Sequence, residues 1–141
     1  MEGLIDRKRI SLELALALVS RVREEAAARE LELAIAVVDD AGHVVASQRM
    51  DGAALGAMQL AVGKAYTSVL WGMPSGDFMQ TTQPGGDDWG WNVTDPRIVV
   101  YAGGFPLLVE GALVGGIGAS GGTAADDAEC VAGATRSLGF S

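Results

Sequence analysis

The chain has 141 residues, a formal net charge of −8 and a hydrophobic fraction of 49%. This length fits one domain with a substantial core, so we expect a single domain over residues 1–141. The negative net charge argues against a strongly basic surface, which binding to nucleic acid or to anionic membranes requires. Neither is therefore an expected partner. The one cysteine cannot form an internal disulfide, which favours a reducing compartment, and we expect a cytoplasmic protein.

The N-terminal half of the chain predicts two helices separated by a hairpin. Ser11 can cap the first helix, and apolar residues recur at helical spacing after it and again after Gly52. Between the helices, two apolar runs flank Asp40-Ala41-Gly42, which is typical of a hairpin turn. The predicted elements are a helix over 11–28, strands over 33–39 and 43–50, and a helix over 54–71.

Lys64 lies on an otherwise apolar side of the second predicted helix, at helical spacing from Leu60, Thr67 and Trp71. A lysine in this place either extends along a solvated edge of the helix or is partly buried. In the second case it points at a ligand carboxylate or at a structural aspartate. The sequence leaves these alternatives open.

The C-terminal half begins with a long irregular segment. Residues 73–97 predict a short helix and then a loop that contains Trp89 and Trp91, which either wall a pocket or pack the loop itself. The following segments predict strands over 97–103, 105–111 and 112–121 and a helix over 124–138. The order α-β-β-α-β-β-β-α predicts an α+β fold with a five-stranded antiparallel sheet and helices on its faces.

The sequence GIGASG at 116–121 matches the glycine pattern of dinucleotide-binding loops. Such a loop follows the first strand of a βαβ unit and requires an acidic residue on a second strand. The residues after Gly121 predict a single helix, so the second strand is missing. We therefore expect no nucleotide cofactor.

No arrangement of side chains specifies a reaction. His43 is the only histidine, so no multi-histidine metal site is expected. Cys130 lies in the last predicted helix without a paired histidine, and Ser120 lies in GASGG rather than in a nucleophile motif. Catalytic residues are therefore left unassigned, and no metal ligand is expected.

Glycines recur where the last strands meet the last helix, and there they allow a flat ligand or another backbone to approach closely. We expect a pocket between the second helix, GGFP and GASGG, with residues 84–96 at its mouth. Lys64 supplies positive charge, so the expected ligand is a small molecule with an anionic group such as a carboxylate. Asp51 has the alternative role of holding Lys64 or Arg49 in place. The predicted ligand-binding residues are Arg49, Asp51, Lys64, Thr67, Gly103, Gly104, Pro106, Ser120 and Gly121, with Trp89 and Trp91 at the pocket mouth.

Four short motifs, followed by Asp126-Asp127, resemble the GlcG/HbpS-type family, which also supplies the C-terminal domain of PduO proteins. These motifs are RMDGA at 49–53, KAYTS at 64–68, GGFPL at 103–107 and GGIGASG at 115–121. The resemblance runs from about residue 11 to residue 139. It implies a profilin-like α-β-α sandwich and symmetric homo-oligomers, often octamers.

The resemblance also implies a protein that binds a small molecule, with binding or degradation of haem or a related tetrapyrrole as the most specific function. Haem-binding relatives can use a histidine of the first helix, and the absence of one here weighs against haem. Two alternatives stay open. The first is a cofactor-independent enzyme that acts on a small organic acid or an aromatic catabolite. The second is a structural assembly module without chemistry.

Overall fold

Three α-helices and four β-strands form an α+β fold in the computed structural model, which describes residues 1–140. Two short 3-10 helices, Ser75–Phe78 and Trp91–Val93, lie in the long segment before the third strand. The principal elements are α1 (Leu12–Ala28), β1 (Ala34–Asp39), β2 (Val44–Arg49), α2 (Ala57–Trp71), β3 (Gly104–Val109), β4 (Ala112–Ser120) and α3 (Ala124–Ser137).

The strands form one antiparallel sheet in the order β2-β1-β4-β3. β1 and β2 are joined by the predicted hairpin, and β3 and β4 form a second hairpin. The central pair, β1 and β4, joins the two halves of the chain, and every residue of β1 is buried. Since both central strands are covered on both faces, their runs of small and apolar residues are explained by burial.

Helices cover both faces of the sheet. Alternate residues of β1 point to opposite sides, as strand geometry requires. Ala34 and Ala36 pack in a cluster with alanines of α2, whereas Ile35 and Val37 belong to the larger core formed with α1 and α3. The chain is therefore layered as one helix, a sheet and two helices.

The prediction of five strands is wrong, because residues 97–103 do not form a strand. This segment packs across α2 instead: the Val99 N–H donates to Thr67 Oγ1 at 2.8 Å, and Ile98 and Val100 are buried against Tyr66. An apolar segment that covers a helix has the same hydrophobic signature as a buried strand. The sequence pattern therefore indicated burial correctly and the pairing partner wrongly.

The glycines of GIGASG allow α2 to lie directly on β4. A Cβ atom at Gly118 would clash with the carbonyl oxygen of Ala61, and one at Gly116 would lie 2.7 Å from the carbonyl oxygen of Ala65. Side chains at these positions would push the helix away from the sheet. The motif serves packing in this fold.

The predicted start of α1 is confirmed, because Ser11 Oγ accepts a hydrogen bond from the Leu14 N–H at 3.2 Å. Thr123 caps α3 in the same way through the Asp126 N–H at 3.1 Å. The neighbouring Asp127 is buried. Across residues 1–140, no helix is both long enough and apolar enough to cross a membrane.

Candidate functional site

Lys64 is the largest fully buried side chain in the described chain, with 2% of its surface exposed. Its Nζ donates hydrogen bonds to the carbonyl oxygen of Ala119 at 2.9 Å and to Asp127 Oδ2 at 3.0 Å. The other carboxylate oxygen of Asp127 accepts the Gly122 N–H at 2.9 Å. Of the alternatives left open by the sequence, the structure shows a buried lysine directed at a structural aspartate. Contact of Lys64 with a ligand stays a prediction.

Two glycines beside this ion pair allow the backbone at the start of β3 to lie directly against Lys64. Gly103 has a φ of +125°, and a Cβ there would lie 3.0 Å from Lys64 Nζ. A Cβ at Gly104 would clash with the Lys64 carbonyl oxygen, and the Gly104 N–H donates to Ser75 Oγ at 2.9 Å. The space predicted for a pocket between α2, GGFP and GASGG is thus filled by direct contacts of the chain.

The remaining predicted site residues lie in separate places. Ser120 ends β4, Gly121 turns the chain towards α3 with a φ of +132°, and Thr67 is buried with its hydroxyl bonded to the Val99 N–H. Arg49 and Asp51 line a polar cleft of about 460 Å³ at the end of β2. Asp51 makes no hydrogen bond or ion pair with Lys64 or Arg49 in the described chain. The structure therefore brings Gly103 and Gly104 against Lys64 but leaves Arg49 and Asp51 in a separate cleft.

The two loop tryptophans behave differently. Trp91 packs on Phe78, with ring centroids 4.9 Å apart, and lines a small cleft of about 240 Å³ beside Trp71 and Met73. Trp89 is 68% exposed. Trp91 therefore lines a cleft, but not the pocket predicted from the sequence, and Trp89 is mostly exposed to solvent.

Two larger clefts differ from the predicted pocket, although Pro106, a predicted ligand-binding residue, lines one of them. The first, of about 570 Å³, lies along α2 between the β1–β2 turn at Gly42 and residues 96–99, and is called the α2 cleft here. Its walls include Met58, Leu60, Val62, Tyr66, Arg97 and Val99. The second, of about 590 Å³, lies between β3 and α3 and is called the α3 cleft. It is lined by Phe105, Pro106, Leu108, Arg136 and Phe140, among others.

A polar cluster closes one side of the α2 cleft. The Tyr66 hydroxyl donates to Asp95 Oδ2 at 2.7 Å. Arg97 binds the same carboxylate through Nε at 3.0 Å and Nη2 at 2.8 Å, and its guanidinium carbon lies 4.2 Å from the centre of the Tyr66 ring. Each of the three side chains thus contacts the other two, and the group is called the Tyr66–Asp95–Arg97 cluster below.

This arrangement sets the charges at the cleft. The hydrogen bonds from Arg97 and Tyr66 hold the pKa of Asp95 well below its ordinary value, so its carboxylate is ionised. Burial and the hydrogen bond to Asp95 raise the pKa of the Tyr66 phenol. At neutral pH the cluster therefore contains a neutral phenol and an ion pair between the Arg97 guanidinium and the Asp95 carboxylate. In the sequence these residues stand in KAYTS and in the DPR tripeptide, 29 residues apart, and no pattern linked them.

The β1–β2 hairpin forms another part of the rim. Asp39 Oδ1 accepts the N–H groups of Ala41 and His43 at 2.9 and 3.0 Å, which fixes the turn. Gly42 lines the cleft, and the neighbouring His43 is exposed. Residues 1–140 contain no group of three or more His, Cys, Asp and Glu side chains positioned to hold a metal ion.

Comparisons with known proteins agree with the motifs. A family model described as "Haem degrading protein HbpS-like" matches residues 10–136. The chain is similar to protein GlcG of Escherichia coli K12, with 33% identity over 111 residues, 79% of this chain and 81% of that protein. It is similar in structure to Klebsiella pneumoniae protein ORFY, with a TM-score of 0.93, 26% identity and 96% and 94% of the two chains covered. It is also similar to a PduOC:heme complex, with a TM-score of 0.90, 26% identity and 94% and 97% covered.

Proposed function

Since the chain belongs to the family of HbpS-like haem-degrading proteins, we propose that it binds haem and that the α2 cleft is the binding site. The similarity to the PduOC:heme complex supports the choice of ligand. The choice of site rests on the lining of the α2 cleft, which suits a flat, mostly apolar molecule with an iron atom at its centre.

One observation carries the choice of site. The α2 cleft combines apolar walls from Leu60, Val62 and Val99 with a thioether, Met58, of the kind that ligates haem iron. Its polar side chains are few and comprise Gln59 and the Tyr66–Asp95–Arg97 cluster. An apolar cleft with a few convergent polar groups is the usual form of a cofactor site.

The other clefts fit haem less well. The α3 cleft has apolar walls, but its lining within residues 1–140 includes no His, Cys, Met or Tyr side chain. The cleft at the end of β2 carries four charged side chains around about 460 Å³. The cleft beside Trp91 is less than half as large as the α2 cleft.

Among the donors at the α2 cleft, Met58 is the best iron ligand. Tyr66 would have to bind as a phenolate, but burial and its hydrogen bond to Asp95 raise its pKa and keep it protonated. Met58 needs no deprotonation, and His43 beside Gly42 offers a second donor at the rim. When bound, haem would supply an iron centre whose reactivity depends on the side chains that hold it and on the surrounding polarity. The side chains of the cleft would hold the ring and exclude water from its faces.

The same protein is proposed to work as a homo-oligomer. Several large apolar side chains are exposed in the single chain, and such groups are usually covered by another subunit when they form patches. They include Leu12 and Leu16 on α1, Leu55 before α2, and Trp71 and Trp89. The even-numbered assembly implied by the family resemblance is part of this proposal.

Titration of the purified protein with haem tests the proposal. A saturable Soret band is expected, with a weakened or displaced band in Met58→Ala. Met73→Ala is the matched control, because Met73 is an exposed methionine outside the α2 cleft. His43→Ala tests the second donor. The absence of a saturable Soret band in the wild type would overturn haem binding, and equal loss in the Met58 and Met73 variants would overturn the site.

A further inference from the structure

Arg97 is held in place from two directions at the edge of the α2 cleft. Its guanidinium stacks on the Tyr66 ring at 4.2 Å, and its Nε and Nη2 groups bind Asp95. Within residues 1–140, Nη1 makes no hydrogen bond. The guanidinium therefore keeps three N–H donors, two on Nη1 and one on Nη2, after its contacts inside the chain are made.

The charges around the α2 cleft indicate which ligand group these donors would bind. The protein carries a net charge of −8, which repels anions in general. Arg97 is the single charged residue among those that line the α2 cleft in the described chain. A guanidinium edge matches the two oxygens of a carboxylate better than a point charge does. An anionic ligand group in this cleft would thus find its partner in Arg97.

Tyr66 and Asp95 act on Arg97 as positioning residues. The Tyr66 hydroxyl ties the Asp95 carboxylate to α2 at 2.7 Å, and Asp95 in turn fixes Arg97 against the ring. A guanidinium that is already immobilised loses little side-chain freedom when it binds a ligand. The arrangement orients the free edge before any ligand arrives.

From this geometry we infer that the Tyr66–Asp95–Arg97 cluster makes the α2 cleft select tetrapyrroles by their peripheral carboxylates, independently of the iron. The inference rests on the proposed function, because it assumes that the ring occupies this cleft. It adds a ligand class: iron-free porphyrins with free carboxylates should bind, and their neutral esters should bind less well.

Two iron-free probes separate this inference from haem binding itself. The dissociation constants of protoporphyrin IX and its dimethyl ester are measured on the same protein in the same detergent-containing buffer. The ratio of the ester constant to the acid constant reports carboxylate recognition, because the ring is the same in both. We expect a ratio of about ten or more, which corresponds to one charge-assisted contact.

Arg97→Ala should lower the ratio to about one, and Tyr66→Phe should lower it partway, because the ring remains while the contact with Asp95 is lost. Arg136→Ala is the matched control: it removes an exposed arginine from the α3 cleft and should leave the ratio unchanged. If Arg97→Ala fails to fold by circular dichroism, Arg97→Gln replaces it, since it removes the charge and keeps most of the side chain.

A wild-type ratio near one, or a ratio that Arg97→Ala leaves unchanged, would overturn the inference. A ratio that falls in the Arg136 variant alone would also overturn it and would move recognition to the α3 cleft. If haem gives a Met58-dependent Soret band while the ratio is near one, the inference fails and the proposed function stands. If neither haem nor a porphyrin binds, both fail.

Discussion

The ammonium of Lys64 and the carboxylate of Asp127 lie 3.0 Å apart, although the two residues belong to helices on opposite faces of the sheet. Both side chains are 2% exposed. The carbonyl of Ala119 and the N–H of Gly122 supply the further hydrogen bonds that a buried ion pair requires. The pair thus joins α2 to the start of α3 past the end of β4.

Removal of one partner should therefore destabilise the fold strongly. Asp127→Ala leaves the Lys64 ammonium buried without its counter-charge, and the expected loss is about 3–5 kcal/mol in the free energy of unfolding. Urea denaturation measures it. Arg29→Ala is the control, because the Arg29–Glu129 pair is exposed and should contribute less than about 1 kcal/mol. Equal effects of the two substitutions would contradict the structural role of the buried pair.

The contact of α2 with β4 depends on Gly118. Gly118→Ala should cost about 1–3 kcal/mol, because the added Cβ meets the Ala61 carbonyl oxygen and the helix must move off the sheet. Thermal melting gives the comparison. Gly133→Ala is the matched control: its Cβ would meet the flexible carboxylate end of Glu25 at 3.3 Å, and alanine favours the helix. A neutral Gly118→Ala would show that α2 does not require this close approach.

Asp95 predicts a specific dependence of stability on pH. Its pKa is lowered in the folded protein by the hydrogen bonds from Arg97 and Tyr66, so its contribution is present above the unfolded-state pKa, about 3.9, and is lost as the pH falls towards the folded value. The stability difference between wild type and Asp95→Asn should thus be constant from about pH 8 to 5 and should shrink below about pH 4.

Urea denaturation across this pH range measures that difference. Asp88→Asn is the control, because the Asp88 carboxylate accepts no hydrogen bond within residues 1–140 and the substitution should have little effect on the free energy of unfolding. A difference for Asp95→Asn that grew on acidification would be inconsistent with the ion-paired carboxylate.

Exposed apolar side chains predict self-association. Light scattering at micromolar concentration should return a mass several times that of one chain. Trp71→Ser should shift the distribution towards smaller species, because Trp71 is 65% exposed beside the exposed Met73. A monomer for the wild type would exclude the proposed homo-oligomer, and an unchanged distribution in the variant would place the interface elsewhere.

Much of the fold was predictable from local pattern. The first hairpin and the helices were located within a few residues, since caps and apolar spacing are properties of neighbouring residues. Ser11 marked the start of α1, as its hydrogen bond to Leu14 shows. The family was also readable from four motifs, two of which reflect glycines required by packing.

The site was less predictable. KAYTS and GASGG were singled out as motifs, and they do hold Lys64, Tyr66 and Gly118, but their contacts are structural or point to a different cleft. In the sequence pattern Arg97 marks only the start of a predicted strand. Its role depends on Tyr66 and Asp95, whose approach follows from the path of a long irregular loop.

The sequence by itself determined that the apolar strand segments are buried, where α1 and α3 begin, and that the glycine motif lacks the context of a nucleotide loop. The tertiary structure alone decided that residues 97–103 cover α2 instead of extending the sheet, that Lys64 pairs with Asp127 across 63 residues, and that Tyr66, Asp95 and Arg97 share one cleft. The reason is physical. Hydrophobic and capping patterns depend on each residue and its near neighbours in the sequence, whereas the contact partner of a buried residue depends on which distant segments pack against it.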